Sequence, residues 1–171
     1  MKAVRSRQGW IGRKAGWIVG AIALASTVAF FGFRAHRTAL RQAEVATKGA
    51  QVMPFDLEQT RHRFKPLDNG GLQTVTAKDS ANQAQIDLIQ MHLQEEAAKF
   101  QAGNFASPAA IHGHEMPGLK ALSAGHTEIA VQYRALSNGG EIRYTAQSAP
   151  LTQAIHDWFA AQRSDHGRHA H

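Results

Sequence analysis

Two histidines and a methionine at alternate positions are the best candidates for chemistry in this chain. His112, His114 and Met116 stand at i, i+2 and i+4, directly before a Pro-Gly turn. Imidazole nitrogen and thioether sulfur together favour copper over a hard ion such as magnesium or calcium. The sequence therefore predicts a copper site in this segment, with zinc as the less favoured metal. The competing interpretation of Met116 is an apolar side chain that fills a gap in the core.

Two predicted helices carry one further candidate ligand each. His92 borders the apolar stripe of the first of these helices, and His156 borders the stripe of the second. Glu96 follows His92 by four residues, so its carboxylate could hold that imidazole by a hydrogen bond, as carboxylates orient many metal-binding histidines. Without a metal, both histidines would be packing residues at the edge of the core. His62 is expected to pack half-buried on the sheet.

The C-terminal tail, residues 165–171, is rich in histidine, and His166 and His169 are its candidate ligands. Short tracts of this kind bind metal through their composition alone. A frayed, solvated terminus is the competing interpretation. Ligation needs the neutral imidazole, so any such site would weaken in mild acid.

The sequence motifs of several common enzyme classes are absent. The chain has no P-loop, no His-Glu-x-x-His segment, no Gly-x-Ser-x-Gly segment and no cysteine. Glu95, Glu96 and Glu115 could act as acids or bases, but the sequence gives them no partnered nucleophile. We therefore favour a protein that does not catalyse a reaction, and an enzyme is kept as a third hypothesis.

The positive charge of the chain is confined to its N-terminal part. Residues 1–41 hold eight Lys or Arg and no Asp or Glu, a charge of +8. Residues 42–171 hold eleven Lys or Arg and thirteen Asp or Glu, a charge of −2. Phosphate recognition needs cations clustered on the folded domain. We therefore predict no nucleic-acid partner.

An apolar segment follows the basic residues 1–15. Residues 16–33 are eighteen residues without a charge, which at about 1.5 Å per residue nearly span a hydrocarbon core of about 30 Å. The cations before the segment predict a cytoplasmic N-terminus, so an uncleaved anchor would sit in the lipid bilayer with the domain outside the cytoplasm. A cleaved signal peptide is the alternative. Residues 34–53 are predicted to form a stalk whose helix breaks at Gly49.

Residues 54–164 are predicted to form an extracytoplasmic α+β domain. Strand patterns flank Asn-Gly turns at residues 60–78 and 127–147, which predicts two β-hairpins because these turns tolerate the positive φ that a tight hairpin demands. A helix is predicted after each hairpin. Four antiparallel strands would then form one sheet, with the helices covering one face.

The helix boundaries are predicted from capping residues. The first helix is expected to begin at a cap on Asp79 or Ser80 and to stop at Gly103, and the second to begin after Ser148 with Pro150 in its first turn. Apolar residues at helical spacing predict which side of each helix is buried. These are Ile86, Ile89, Leu93, Ala97 and Phe100 in the first helix, and Leu151, Ile155, Trp158 and Phe159 in the second.

The two halves align at an offset of 69 residues, which predicts a duplicated ββα unit. The identical residues Leu67, Asn69, Gly70, Gly71, Thr76, Ala77 and Ile86 fall on Leu136, Asn138, Gly139, Gly140, Thr145, Ala146 and Ile155. The copies would cover residues 60–102 and 127–164. The insert between them, residues 103–126, is expected to be loop-like, and its departure from the repeat makes it a reasonable place for a functional site.

Most of residues 54–169 resembles a family of small, uncharacterised bacterial envelope proteins. Its shared motifs are Phe55-Asp56, the Gly-Gly hairpin, Phe100 with Asn104-Phe105 and Pro108, Ile111-His112-Gly113, Met116-Pro117-Gly118-Leu119, Trp158-Phe159-Ala160-Ala161-Gln162 and Asp165-His166-Gly167. Some members carry the label aspartate carbamoyltransferase, which this sequence does not support. That reaction needs two α/β domains and a Ser-Thr-Arg-Thr loop. The resemblance implies a periplasmic domain on a bacterial inner membrane.

We therefore expect a membrane-anchored extracytoplasmic domain that binds a transition metal, with copper favoured, through histidine and methionine. The alternative is an anchored interaction module that meets another protein of the cell envelope and holds no metal.

Overall fold

A computed structural model describes the backbone of residues 11–167 and the side chains from residue 31 onward. His169 and the basic residues 1–10 therefore lie outside the described residues. The chain divides into two compact units, residues 1–40 and residues 41–171. The first helix, α1, is Ile11–Val52 and contributes residues to both units.

The predicted membrane segment, residues 16–33, falls within α1. The side chains of residues 16–30 lie outside the described part of the structure. Among the residues that are described, no helix combines the length and the apolarity that a bilayer crossing requires. The anchor stays a prediction from the sequence.

The expected helix break at Gly49 does not occur, because α1 continues to Val52. A glycine inside a helix costs only about 1 kcal/mol, which neighbouring contacts can offset. Gly49 lies against Leu57, and a Cβ on this residue would come within 3.0 Å of the Leu57 Cδ1 atom. The glycine permits a close approach here instead of ending the helix.

The globular unit is an α+β fold built on one antiparallel sheet, which confirms the predicted fold class. Its strands are β1 (Thr60–Leu67), β2 (Gly70–Ala77), β3 (Ile129–Leu136) and β4 (Gly139–Ala146), in the spatial order β1-β2-β4-β3. Two long helices, α2 (Gln83–Gln101) and α5 (Ala149–His166), pack on the sheet. All the residues predicted for their apolar stripes are buried.

The two hairpins have the same register at an offset of 69 residues. Thr60 opposes Ala77 in the first hairpin, as Ile129 opposes Ala146 in the second. The central pair β2–β4 is itself symmetric about the contact between Gln73 and Ile142. The two ββα units are therefore arranged around a local two-fold axis through the middle of the sheet.

The insert between the two units is helical, so the expected loop is wrong. It forms α3 (Ala106–His112) and α4 (Leu119–Ala124). Gly113 and Gly118 adopt positive φ values of 91° and 80° between them. Apolar residues of both short helices join the core, which explains why the segment orders.

Asn82 caps α2, and the predicted cap at Asp79 or Ser80 is wrong. The Gln85 amide donates to Asn82 Oδ1 over 3.2 Å. The Asp79 carboxylate is used one turn earlier, where it accepts from the Ala81 amide. The stop at Gly103 is confirmed, since α2 ends at Gln101 and Gly103 has a φ of 77°. The start of α5 after Ser148, with Pro150 in its first turn, is confirmed, but the Ser148 side chain makes no capping hydrogen bond.

Gly70 is required by the close approach of β2 and β4. Its φ is 148°, and a Cβ there would lie 2.0 Å from the Tyr144 carbonyl oxygen. We predict that Gly70→Ala lowers the free energy of unfolding by about 3–5 kcal/mol, because strand backbone cannot yield as a flexible side chain can. Urea unfolding followed by circular dichroism measures this change.

Gly113→Ala is the matched control. Gly113 also has a positive φ, but a Cβ there would meet nothing within 4 Å. Its cost should be the backbone strain alone, about 1–2 kcal/mol. Equal destabilisation by the two substitutions would show that the β2–β4 approach is not the constraint at Gly70.

Candidate functional site

A partly open cavity lies under the covered face of the sheet, among α2, α3 and α5. The space open to the centres of water-sized molecules is about 40 Å³, enough for roughly three waters or for one metal ion. Four imidazoles line the cavity: His62 on β1, His92 on α2, His112 at the end of α3 and His166 at the end of α5.

Three of these rings form a continuous chain. The ring centroids of His62 and His166 are 5.2 Å apart, and those of His166 and His112 are 5.0 Å apart. All three residues are buried, with between 1% and 8% of their surface exposed. His92 lies further along the wall, with Phe55 in contact with both its ring and that of His62.

The hydrogen bonds of the three rings assign a proton to one nitrogen of each. His112 Nδ1 lies 2.8 Å from Asp165 Oδ2, and His166 Nε2 lies 3.2 Å from Gln162 Oε1. These oxygens only accept, so the ring nitrogens must donate. In the neutral forms the lone pairs therefore sit on His112 Nε2 and His166 Nδ1.

His62 follows the same pattern through a longer contact. Its Nε2 lies 3.4 Å from Thr60 Oγ1, whose own proton is donated to the Leu57 carbonyl. His62 Nε2 therefore donates, and the lone pair of the neutral ring sits on Nδ1. Each of the three neighbouring imidazoles thus uses one nitrogen as a donor to the protein, which is the usual way in which metal-binding histidines are oriented.

Asp165 holds His112 in place together with Arg41. The Arg41 guanidinium donates from Nε to Asp165 Oδ1 over 3.2 Å and from Nη2 to Asp165 Oδ2 over 2.7 Å. The same Nη2 donates to the His112 carbonyl over 2.7 Å. A two-pronged contact of this kind fixes direction as well as charge. The carboxylate is therefore kept ionised and aimed at the imidazole.

Burial and charge set the ionisation of this group of residues. Burial lowers the pKa of His112, and the hydrogen bond from its ring to Asp165 offsets this only in part. Burial also lowers the pKa of His92, against a smaller opposing effect of the Glu96 charge. Burial alone would raise the pKa of Asp165, but the hydrogen bonds from Arg41 and His112 outweigh it, so the pKa is lowered. The lowered pKa keeps His112 neutral beside the ionised Asp165, and burial favours the neutral form of His92 as well.

Glu96 lines the cavity, but its carboxylate does not hold His92 as the sequence suggested. Glu96 Oε1 accepts from Lys99 Nζ and from Ser107 Oγ, both over 2.9 Å. Ser107 also lines the cavity, yet it donates to this carboxylate and not to an imidazole. The described residues of the cavity therefore contain no serine–histidine pair of the kind that activates a nucleophile.

Trp158 supplies an unused donor. It lines the cavity, and its buried Nε1 has no hydrogen-bond partner among the described residues. A buried donor without a partner costs free energy, which a water or another acceptor in the cavity would recover. Tyr144, in contrast, donates from its hydroxyl to Gln73 Oε1 over 2.9 Å, and burial raises its pKa well above the usual range.

The structure brings some of the predicted ligands together and separates others. His112, His166 and His92 line the one cavity. His114 is exposed, and Met116 is buried in the hydrophobic core away from the cavity lining.

His156 has a structural contact of its own. Its Nε2 lies 2.9 Å from the Leu67 carbonyl oxygen and 3.0 Å from the Gly70 carbonyl oxygen, so it holds the β1–β2 turn. It does not line the cavity.

Sequence reasoning missed His62 and Met53, which also line the cavity. His62 is 1% exposed and not half-buried as expected. Strand alternation contained the signal, since His62 lies on the same face as Phe64. Met53 has no comparable signal, because its place depends on where the chain turns after α1.

The metal hypothesis has one geometric requirement that this structure does not meet. Among the side chains of residues 31–167, no group of three or more His, Asp or Glu is arranged to hold a metal ion as it stands. Metal binding would require the rings of His62, His112 and His166 to turn until their lone pairs meet.

No protein-family model, curated protein or solved structure matches this chain. The resemblance to envelope proteins stays a prediction from sequence motifs, and the function must be argued from the cavity itself.

The buried histidines predict a loss of stability in mild acid. Unfolded histidine titrates near pH 6.5, whereas the folded pKa values of His92 and His112 are lower, so the unfolded chain binds more protons as the pH falls. Their contribution is complete above about pH 6.5 and is lost as the pH falls through the folded values. Urea unfolding in EDTA at pH 7.5, 6.5 and 5.5 should show the decline.

His92→Gln should flatten that pH dependence, since it removes one of the two buried histidines whose pKa is lowered. His114→Gln is the matched control, because His114 is exposed and should leave the dependence unchanged. A free energy of unfolding that is constant or rises between pH 7.5 and 5.5 would contradict the assignment of neutral buried imidazoles.

Proposed function

We propose that this protein is a metal-binding domain whose site is the imidazole-lined cavity and whose ion is copper. The observation that carries the proposal is the chain of the buried His62, His166 and His112, with centroids 5.2 and 5.0 Å apart on the wall of one cavity. Each ring uses one nitrogen as a hydrogen-bond donor, so the other carries the lone pair that a metal needs.

The ligand set favours copper over harder ions. The candidate ligands are imidazoles, and the thioether of Met53 also lines the cavity. Imidazole and thioether together select copper, whereas zinc is served by imidazole alone and magnesium or calcium by oxygen. Met53 thus takes the part that the sequence assigned to Met116.

Asp165 has a defined part in this proposal. A carboxylate that accepts from the far nitrogen of a ligating histidine fixes the ring and raises its basicity. Asp165 does this for His112, and Arg41 keeps the carboxylate ionised.

The location of the domain stays a prediction from the sequence. Residues 16–33 are proposed as the bilayer anchor of a bacterial inner membrane, with the globular unit on the periplasmic side. Together with the metal site proposed in the cavity, this prediction describes an anchored copper-binding protein that does not catalyse a reaction.

Calorimetric titration of the full-length chain with Cu(I), in anaerobic buffer, tests the proposal. We expect one ion per chain at micromolar affinity or tighter. His112→Gln and His166→Gln should each weaken binding by at least about tenfold, since each removes a ligand. His114→Gln is the matched control and should bind as the wild type does.

Three further variants separate the competing sites. Met53→Leu should weaken Cu(I) more than Zn(II), while Met116→Leu should change neither. A chain ending at Gly167 should keep its binding, because the cavity residues precede that position. If His114→Gln and Met116→Leu abolish binding, the metal is held by the motif of His112, His114 and Met116 and not by the cavity. If only the truncation abolishes binding, the metal is held by the C-terminal tail.

A further inference from the structure

The sheet has one face covered by helices and one face open, and the open face is strongly cationic. Side chains alternate between faces along a strand, so the neighbours of the buried His62 and Phe64 on β1 point away from the core. The same alternation applies on β3 and β4. The exposed Lys and Arg residues of the open face are Arg61, Arg63, Lys65, Arg134 and Arg143.

The strand register places these cations close together. Lys65 opposes Leu72, which opposes Arg143 on the next strand. The next row along contains Arg63 and, two strands away, Glu141, which forms an ion pair of 2.7 Å with Arg134. Four strands spaced by about 4.8 Å span only about 14 Å. We call this set of five cations the cationic sheet face.

The fold separates charges that the sequence mixes. Residues 42–171 contain eleven Lys or Arg and thirteen Asp or Glu. The cationic sheet face takes five of those cations and one acid, Glu141, for a net charge of +4. Six cations and twelve acids are left for the rest of the region, a net charge of −6. The mild negative charge of the whole region therefore hides a positive surface.

The other residues of this face indicate what kind of anion it fits. They are Leu67, Gly70, Leu72, Thr74, Thr76, Ala130, Gln132, Leu136, Gly139 and Thr145. No aromatic side chain occurs on this face of the described strands, so bases have no surface on which to stack. Its three leucines are dispersed, since Leu67 and Leu136 lie at opposite corners and Leu72 lies between Lys65 and Arg143, so they do not form the apolar centre of a typical protein interface. An array of cations without such a centre is suited to a surface of anionic headgroups.

We propose that the cationic sheet face docks on a bilayer surface that contains anionic phospholipids. Arginine and lysine donate charge-assisted hydrogen bonds to phosphate oxygens, and arginine can do so with two prongs. A cation near an anionic membrane contributes about fivefold to the partition between docked and free states. The copper site is not involved, and the proposal stands whether or not the cavity binds metal.

A fluorescent probe on this face tests the proposal in the full-length chain. The chain has no cysteine, so Gln132→Cys carries one environment-sensitive label on the face and Gln153→Cys carries one on the exposed side of α5. Each labelled protein is mixed with vesicles of phosphatidylcholine alone, or with vesicles in which phosphatidylglycerol replaces part of it. We expect an emission shift at position 132 only with the anionic vesicles, lost in high salt, and none at position 153.

Charge reversal supplies the matched comparison. Arg63→Glu/Lys65→Glu should lower the ratio of docked to free protein by at least about 25-fold, since two contributions of about fivefold are removed. Lys48→Glu/Lys120→Glu makes the same change of net charge at exposed side chains on helices away from this face and should leave the shift intact.

Three results would overturn the proposal. The first is an equal shift with neutral and anionic vesicles. The second is a shift that polyglutamate causes and the vesicles do not, which would point to an acidic protein. The third is a shift caused only by single-stranded DNA, which would assign the face to nucleic acid.

Discussion

The contact between Arg41 and Asp165 is the interaction on which the cavity depends. Its two prongs join the C-terminal part of α1 to the last turn of α5, and the third donation, to the His112 carbonyl, adds the end of α3. Asp165 also accepts from the His112 ring. Three segments that are distant in sequence are therefore tied around one carboxylate. Loss of Arg41 would leave a partly buried negative charge beside a neutral imidazole, which is costly.

The same contact explains how the cavity can remain polar inside the core. Phe64, Phe100 and Trp158 surround it, and an imidazole placed there without a hydrogen bond would be destabilising. The hydrogen bonds of His62, His112 and His166 reduce that cost, and the neutral state of His112 avoids the larger cost of burying a charge. A metal ion bound to their lone pairs would complete the same set of interactions.

The elements were predictable from the sequence to a greater extent than the site. Strand alternation, Asn-Gly turns and helical stripes are local signals, and they gave the four strands and both long helices. The motif of His112, His114 and Met116 is local too, yet α3 ends at His112 and Gly113 turns the chain with a φ of 91°. His114 consequently faces solvent, while His112 faces residues that lie 50 positions before it and 54 after it. Only the packing of β1, α3 and α5 could show that convergence.

The net charge of residues 42–171 did not predict the cationic sheet face, because this face also depends on how the chain folds. A count over residues 42–171 cannot register which face a strand residue occupies, and the period of two sorts Arg61, Arg63 and Lys65 to one side of β1. We expected no clustered cations on the domain, and this expectation is wrong. The prediction of no nucleic-acid partner is untested. The aromatic-free character of the face is consistent with that prediction.

The central claim is that a metal ion binds among His62, His112 and His166. A long-range proton–nitrogen correlation spectrum of the imidazoles, recorded during titration with Ag(I) as a diamagnetic substitute for Cu(I), tests it most directly. The account predicts that the ring nitrogens of these three histidines shift together and saturate at one ion per chain, while those of His114, His126 and His156 stay in place. Shifts confined to His114 or to the tail, or no shift at all, would contradict it.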